Sequence, residues 1–221
     1  MFDAFGWASN YIEEKYLHLL ARIFPIVYFC IALYFSVLNY SHFVFKPLWA
    51  VESIFYVLLT FVFIIRVDPV DRAKGVYEFW MPLVGTMLPI TLSPMRLVIL
   101  NNLPVLYGLS IFMTLSIMLT LWGIWVMRRS FSITVEARAL VTNGPYRWLR
   151  HPIYTGESLA VTGVLILRFS LFSLMIYCIY LILTLLRTYY EEQKLTRVFP
   201  EYRSWANSKW WFWKVYDYNI I

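Results

Sequence analysis

Charge is scarce in this sequence. Only 14% of its residues are Asp, Glu, Lys or Arg, against about a quarter in an ordinary soluble domain. That shortage excludes a soluble globular chain. Cysteine is scarcer still. Cys30 and Cys178 both lie in apolar segments, so they read as packing residues and not as a disulfide or a metal pair. The N-terminal stretch "MFDAFGWASNYIEEKY" lacks the basic segment that opens a cleavable secretion signal. Met1–Tyr16 is expected to form a short interfacial helix. Internal repeats and low-complexity linkers are missing too, and residues 1–221 read as one domain, with N-terminal spans over 1–127 and a distinct core over 128–221.

What fills the chain is apolar: 61% hydrophobic residues and 20% aromatic. A membrane-crossing helix needs about 20 mostly apolar residues. Segments near Leu20–Tyr40, Leu48–Ile65, Val76–Ser93 and Pro104–Met127 qualify. Pro25, Pro82 and Pro89 fall inside them, which membrane helices tolerate when neighbours satisfy the freed backbone groups. A further apolar stretch, Ser158–Leu186, is too long for one straight span and is broken by "RFS" at 168–170.

Lys and Arg set the direction. Lys15 and Arg22 flank the first span; Arg66, Arg72 and Lys74 follow the second; Arg128, Arg129, Arg138, Arg147 and Arg150 follow the fourth. The opposite loops hold only Lys46 and Arg96. The positive-inside rule puts the N-terminus and the segment after the fourth span in the cytoplasm. The basic C-terminal tail belongs there too, so 158–186 must turn back on itself near Arg168. Its first arm, counted from Ser158, is about 16 Å long at the helical rise, and Arg168 can snorkel at the tip. The fold class is therefore all-α: a polytopic membrane protein with four transmembrane helices and a C-terminal helical hairpin. The basic residues border spans and form no soluble basic face, which excludes nucleic acid as a partner.

Between the fourth span and the hairpin lies "NGPYRWLRHPIYTGE", residues 143–157. Gly144-Pro145 marks a turn. Pro152 favours an extended conformation at His151, and Gly156 permits backbone geometry that other residues resist. An ordered, non-helical loop is expected. It offers donors in Arg147, Arg150 and His151, and aromatic faces in Tyr146, Trp148 and Tyr154. The hairpin brings Glu191 and Glu192 to it from the far arm. Such a set can hold a zwitterionic, aromatic cofactor.

"LVTNGPYRWLRHPIYTGE" followed by "RTYYEEQKLTRVFPEYRSW" resembles the isoprenylcysteine carboxyl methyltransferase family and its bacterial relatives, over roughly residues 131–205. The resemblance implies an integral membrane enzyme that uses S-adenosylmethionine and takes a lipophilic acceptor, most simply a carboxylate, from the bilayer. It implies cofactor contacts from Arg138, Ala139, Leu140 and Val141 near the adenosine. Tyr146, His151, Pro152, Ile153 and Tyr154 form the rest of that contact, and Glu191 takes the cofactor's polar end. Arg187 faces the acceptor, its planar fork suited to a carboxylate. An amine or thiol acceptor would need a base, and Glu192 is then the nearest candidate. "FPEY" at 199–202 departs from the family's usual "FG-E-Y".

Plainer readings stand beside these. Arg187 and Glu191, four apart on a helix, have the spacing of a surface ion pair worth tenths of a kcal/mol. Arg147 and Arg150 could be topogenic charges, and "KWWFWK" at 209–214 reads as interfacial anchors. Phospholipid N-methyltransferases and small-thiol methyltransferases share the same logic. Membrane sterol reductases carry a similar "RHP-N-Y-FGE" motif and use NADPH, but Ile153 stands here in place of the asparagine, and the paired glutamates favour methyl transfer.

Overall fold

The computed structural model describes residues 14–92, 98 and 102–215; the expected interfacial helix over Met1–Tyr16 falls almost wholly outside them. The regular structure of the described residues is all helical, with two isolated bridges and no strand. Helix α1 runs Glu14–Leu38 and α2 Lys46–Ile65. Arg22 closes the exit of α2 by donating to the carbonyls of Phe63 and Ile64.

The third expected span differs from the expectation. Residues 76–92 form a π turn (Val76–Trp80), a short helix α3 (Met81–Met87) and a 3-10 turn (Leu88–Leu92). Pro82 and Pro89 each lack an N–H and crowd the preceding turn, so the winding changes beside both. Among the described residues three helical stretches are long and apolar enough to cross a membrane: Lys46–Ile65, Leu103–Ser130 and Leu171–Val198. Arg22–Leu38 and Pro152–Leu167 are apolar but shorter.

Helix α4 spans Leu103–Met127, and the hairpin follows as α5 (Pro152–Leu167) and α6 (Leu171–Val198), turning at 168–170 as expected. Ser170 and Ser173 form a reciprocal cap at the start of α6: each hydroxyl accepts the other's backbone N–H, at 3.0 and 2.7 Å. The first arm begins six residues earlier than expected, because Pro152 is well suited to a first helical turn. Its 16 residues make about 24 Å, still short of a hydrocarbon core of about 30 Å. A short helix α7, Tyr202–Asn207, follows.

The hairpin is seated by small residues. A Cβ on Gly156 would lie 2.3 Å from Thr120 Oγ1, and one on Gly163 would lie 2.4 Å from Met113 Cγ. Gly156 therefore serves close packing inside α5, and not the unusual backbone geometry expected of it. With little hydrophobic force between helices in lipid, such contact is what holds them together. Gly144, by contrast, does sit at φ +58, where other residues are strained. Cys30 and Cys178 are exposed and free, on apolar outer faces and not packed inside.

Lys194 fixes the other end of α6. It is 1% exposed, donates to the carbonyls of Arg72 (2.7 Å) and Val135 (3.1 Å), and pairs with Glu78 at 2.7 Å. Ala137 bridges Asp71 in the same region. The chain segment 131–138 is thereby clamped between the loop after α2 and the end of α6.

Candidate active site

Three segments meet at this end of the bundle: the strap 131–151, the start of α5 and the last third of α6. Gly144–Arg147 is a 3-10 turn, and α5 begins at Pro152, so the polar stretch is partly helical and not the wholly irregular loop expected. His151 stands immediately before α5 with φ −127 and ψ 64, outside the helical region as Pro152 requires.

Between the segments lies a cavity with about 810 Å³ of open space, mouth included. Arg138, Ala139, Leu140, Val141, Tyr146, His151, Ile153, Tyr154 and Glu191 all line it. Those are nine of the ten residues expected to touch a cofactor; the tenth, Pro152, is buried at the head of α5 and shapes the turn.

The wall carries charges of both signs. Glu191 accepts a hydrogen bond from the Tyr154 hydroxyl and lies 3.9 Å from His151 Nδ1. Arg138, on the same cavity wall with its side chain 2% exposed, pairs through Nη2 with Glu136, while its Nε and Nη1 find no partner among the described residues. Trp205, also on the wall, has an equally unpartnered indole N–H. Buried donors without acceptors are costly to leave so, and these ask for an acceptor-rich guest. Burial, and then the Glu191 and Glu157 carboxylates, push the Tyr146 phenol well above its ordinary value, so it stays a neutral donor.

Glu192 points elsewhere. It is wholly buried and lines neither cavity. Its Oε1 accepts from Arg150 Nη1 at 3.0 Å and from His151 Nε2 at 3.1 Å, and its Oε2 from Trp213 Nε1 at 2.5 Å. A carboxylate bridging a histidine can only accept, so His151 carries a proton on Nε2 and turns Nδ1 toward Glu191. Trp211 packs on the same imidazole with ring centres 4.6 Å apart. The aromatic run thus alternates: Trp210 and Phe212 are exposed, as anchors would be, but Trp211 and Trp213 face inward. Arg150 is 3% exposed and so is not a surface topogenic charge.

Arg187 lies one turn before Glu191, and its Nε is 3.7 Å from Glu191 Oε1. This is no surface pair, since Arg187 is 7% exposed. Its Nη1 donates to Thr86 (3.2 Å), its Nη2 to the Ser132 carbonyl (3.3 Å), and its plane lies 4.6 Å from the Tyr154 ring centre. Arg187 lines a second cavity with about 320 Å³ of open space, mouth included, walled by Phe29, Phe55, Leu59, Ile133 and others. Phe131, Ile153 and Tyr154 line both cavities. Glu157 also faces the second one. Sequence reasoning passed over it, although it ends the "YTGE" motif three residues after Tyr154, the spacing that shares a helix face.

Residues 103–202 match the family model described as phospholipid methyltransferase. The match takes in α4, the strap and the whole hairpin, and leaves out the first three helices. No curated protein and no solved structure matches the chain.

Proposed function

We propose, on the footing that the chain belongs over residues 103–202 to the phospholipid methyltransferase family, that this membrane methyltransferase moves a methyl group from S-adenosylmethionine to a lipophilic acceptor. S-adenosylmethionine supplies an electrophilic methyl on a sulfonium; the protein supplies placement and electrostatics. Its amino-acid end carries both an ammonium and a carboxylate, and its adenosine is rich in acceptors. The observation that carries the reading is that one cavity is lined both by the Glu191 carboxylate and by Arg138 and Trp205 donors that have no partner among the described residues. Glu191 binds the ammonium, and the Tyr154 hydroxyl orients its carboxylate. Arg138 and Trp205 donate to the acceptor atoms.

The second, mostly apolar cavity suits a lipid-borne acceptor, which enters from the bilayer while the cofactor enters from the cytoplasm. Phe131, Ile153 and Tyr154 form the boundary where the two reactants meet, and holding both in line supplies much of the rate enhancement. A carboxylate acceptor, oriented by Arg187, is what the resemblance implies. The guanidinium is held by Thr86, Ser132 and the Tyr154 ring, and its Nε has no hydrogen-bond partner among the described residues.

Calorimetry on detergent-solubilised protein tests the cofactor. Binding of S-adenosylmethionine and S-adenosylhomocysteine without NADPH is expected. Binding of NADPH alone would replace this reading with a reductase.

A further inference from the structure

We propose that an anionic phospholipid, distinct from the methyl acceptor, sits with its headgroup on Arg128 and Arg129, in an open groove between the ends of α2 and α4. The groove shares no lining residue with the cavity of Arg187 and Glu157, and its occupant does not depend on the methyltransferase reading.

The groove lies where α4 ends at Met127 and the chain turns through Arg128–Ser130 into the strap. It has about 1300 Å³ of open space, mouth included. Its floor is apolar, with Phe61 and Ile65 from the end of α2 and Trp125 from the last turn of α4. Phe61 is 46% exposed and Trp125 50%, so much of that floor is uncovered. The rest of the lining is cationic. Arg128 and Arg129 belong to it, and no Asp or Glu does among the described residues. Thr142 and Asn143, both exposed, add polar side chains.

Charges that only set membrane orientation need a side and nothing more. Arg128 is held more closely than that. Its Nε donates to the Trp125 carbonyl at 3.2 Å, and its guanidinium carbon lies 4.8 Å from the Trp125 ring centre. Its two Nη atoms are left without a partner among the described residues, and so is the Arg129 guanidinium. Arg128 is also the one non-glycine residue with positive φ among the described residues, at 44. Such a conformation costs energy and clusters where a ligand is clamped. The free edge of an arginine fork matches phosphate oxygens, and basic pockets between membrane helices take anionic headgroups. The floor decides between a lipid and a free phosphate ion. An acyl chain covers Phe61, Ile65 and Trp125; an inorganic ion leaves them bare. Met127, Ser130, Leu140 and Val141 line both this groove and the cavity of Glu191 and His151, so a lipid seated here packs against the strap.

Dioctanoyl phosphatidylglycerol is the probe. It has no amine, thiol or carboxylate, so it is not confused with a methyl acceptor. Purified full-length protein, freed of lipid in a neutral detergent, is titrated with it, with dioctanoyl phosphatidylcholine and with inorganic phosphate, and the melting temperature is followed. Saturable stabilisation by phosphatidylglycerol alone is expected. Arg128→Gly and Arg129→Gln should each weaken that binding roughly tenfold or more, the loss that goes with a charge-assisted hydrogen bond. Arg128→Gly should keep its fold, because glycine is at home at positive φ. Lys209→Gln removes an equal charge outside the groove and should change the affinity less than about twofold. Equal stabilisation by phosphatidylcholine or by phosphate, none by phosphatidylglycerol, an unchanged response in a folded Arg128→Gly or Arg129→Gln protein, or an equal loss in Lys209→Gln would each overturn the inference. So would a dimer in neutral detergent that either groove substitution breaks, since a second copy would then fill the groove. All of these outcomes leave the methyltransferase reading to the cofactor calorimetry.

Discussion

Glu192→Gln separates a structural carboxylate from a catalytic one. The side chain is fully buried, and its oxygens receive three donors, from Arg150, His151 and Trp213. Glutamine removes the charge that balances Arg150, itself 3% exposed, and turns an N–H toward Arg150 or Trp213, which can only donate. Breaking a buried pair by removing one partner costs about 3–5 kcal/mol. For a chain of this size that lowers the unfolding temperature by roughly 6–20 °C. Because marginal stability is about 5–15 kcal/mol, the variant should still fold at low temperature. Replacing both partners, Arg150→Met with Glu192→Met, should cost less than Glu192→Gln alone, since it leaves no orphaned charge. Thermal unfolding in detergent, followed by tryptophan fluorescence, measures all three, and Trp213 lies at the site of change. A Glu192→Gln protein that unfolds within about 2 °C of wild type yet transfers no methyl group would refute the reasoning. It would return Glu192 to the role of base that the sequence first suggested.

Glu191→Gln should weaken S-adenosylmethionine binding roughly tenfold to hundredfold, the value of about 1.5–3 kcal/mol for a charge-assisted hydrogen bond; calorimetry reads it, and unchanged affinity would remove Glu191 from the cofactor site. Gly156→Leu should loosen the hairpin, because even a Cβ there would lie 2.3 Å from Thr120 Oγ1; protease sensitivity at 168–170 should rise, and a wild-type digestion pattern would contradict the packing. Tyr146, whose phenol is held above its usual range, contributes stability below about pH 10 that is lost as pH rises past the unfolded value. Melting temperatures above pH 10 should therefore fall more steeply for the wild type than for Tyr146→Phe; parallel curves would show that the phenol is not so held. Cysteines placed at Asn143 and Ser208, in a background without Cys30 and Cys178, should react with an impermeant thiol reagent from the same membrane side. Reaction from opposite sides would rule out a shared cytoplasmic face.

Much of this site is legible in the sequence because its signals are local. "NGPYRWLRHPIYTGE" carries its own turn chemistry, "RFS" interrupts an apolar run, and basic residues on both flanks demand a reversal. From these the meeting of His151 with Glu191 and Glu192 follows. Other features are set by contacts across the chain. Lys194 reads as one more tail cation, yet its ammonium is buried against Glu78 and two carbonyls. Its environment comes from loops more than 50 residues away. "KWWFWK" has the composition of an interfacial belt, but two of its rings turn inward because Trp210 pairs its backbone with Trp148 and Arg150. The bridge gives the segment an alternation that composition does not carry. The broken winding of 76–92 was half visible, since both prolines were seen, but whether neighbours restore a regular helix around a proline depends on packing.

The spacing of residues along two helices explains why the two cavities adjoin. On α6, Arg187 and Glu191 are one turn apart, and on α5, Tyr154 and Glu157 are also about one turn apart. A turn advances about 5.4 Å. Within that distance the lining passes from the cavity of Glu191 and His151 to the cavity of Glu157 and its apolar neighbours. Tyr154 marks the crossing: its hydroxyl reaches Glu191, and its face carries Arg187. Methyl transfer needs reacting atoms about 3–3.5 Å apart, so on the proposed reading the two spaces must open into one another with no side chain between the reactants. Phe131, Ile153 and Tyr154, each lining both spaces, border that junction. Gly123 lets Ile153 take its place there, for a Cβ on that glycine would lie 2.7 Å from Ile153 Cγ1. The close approach of α4 to α5 therefore does more than seat the hairpin: it sets the position of Ile153, which lines both cavities.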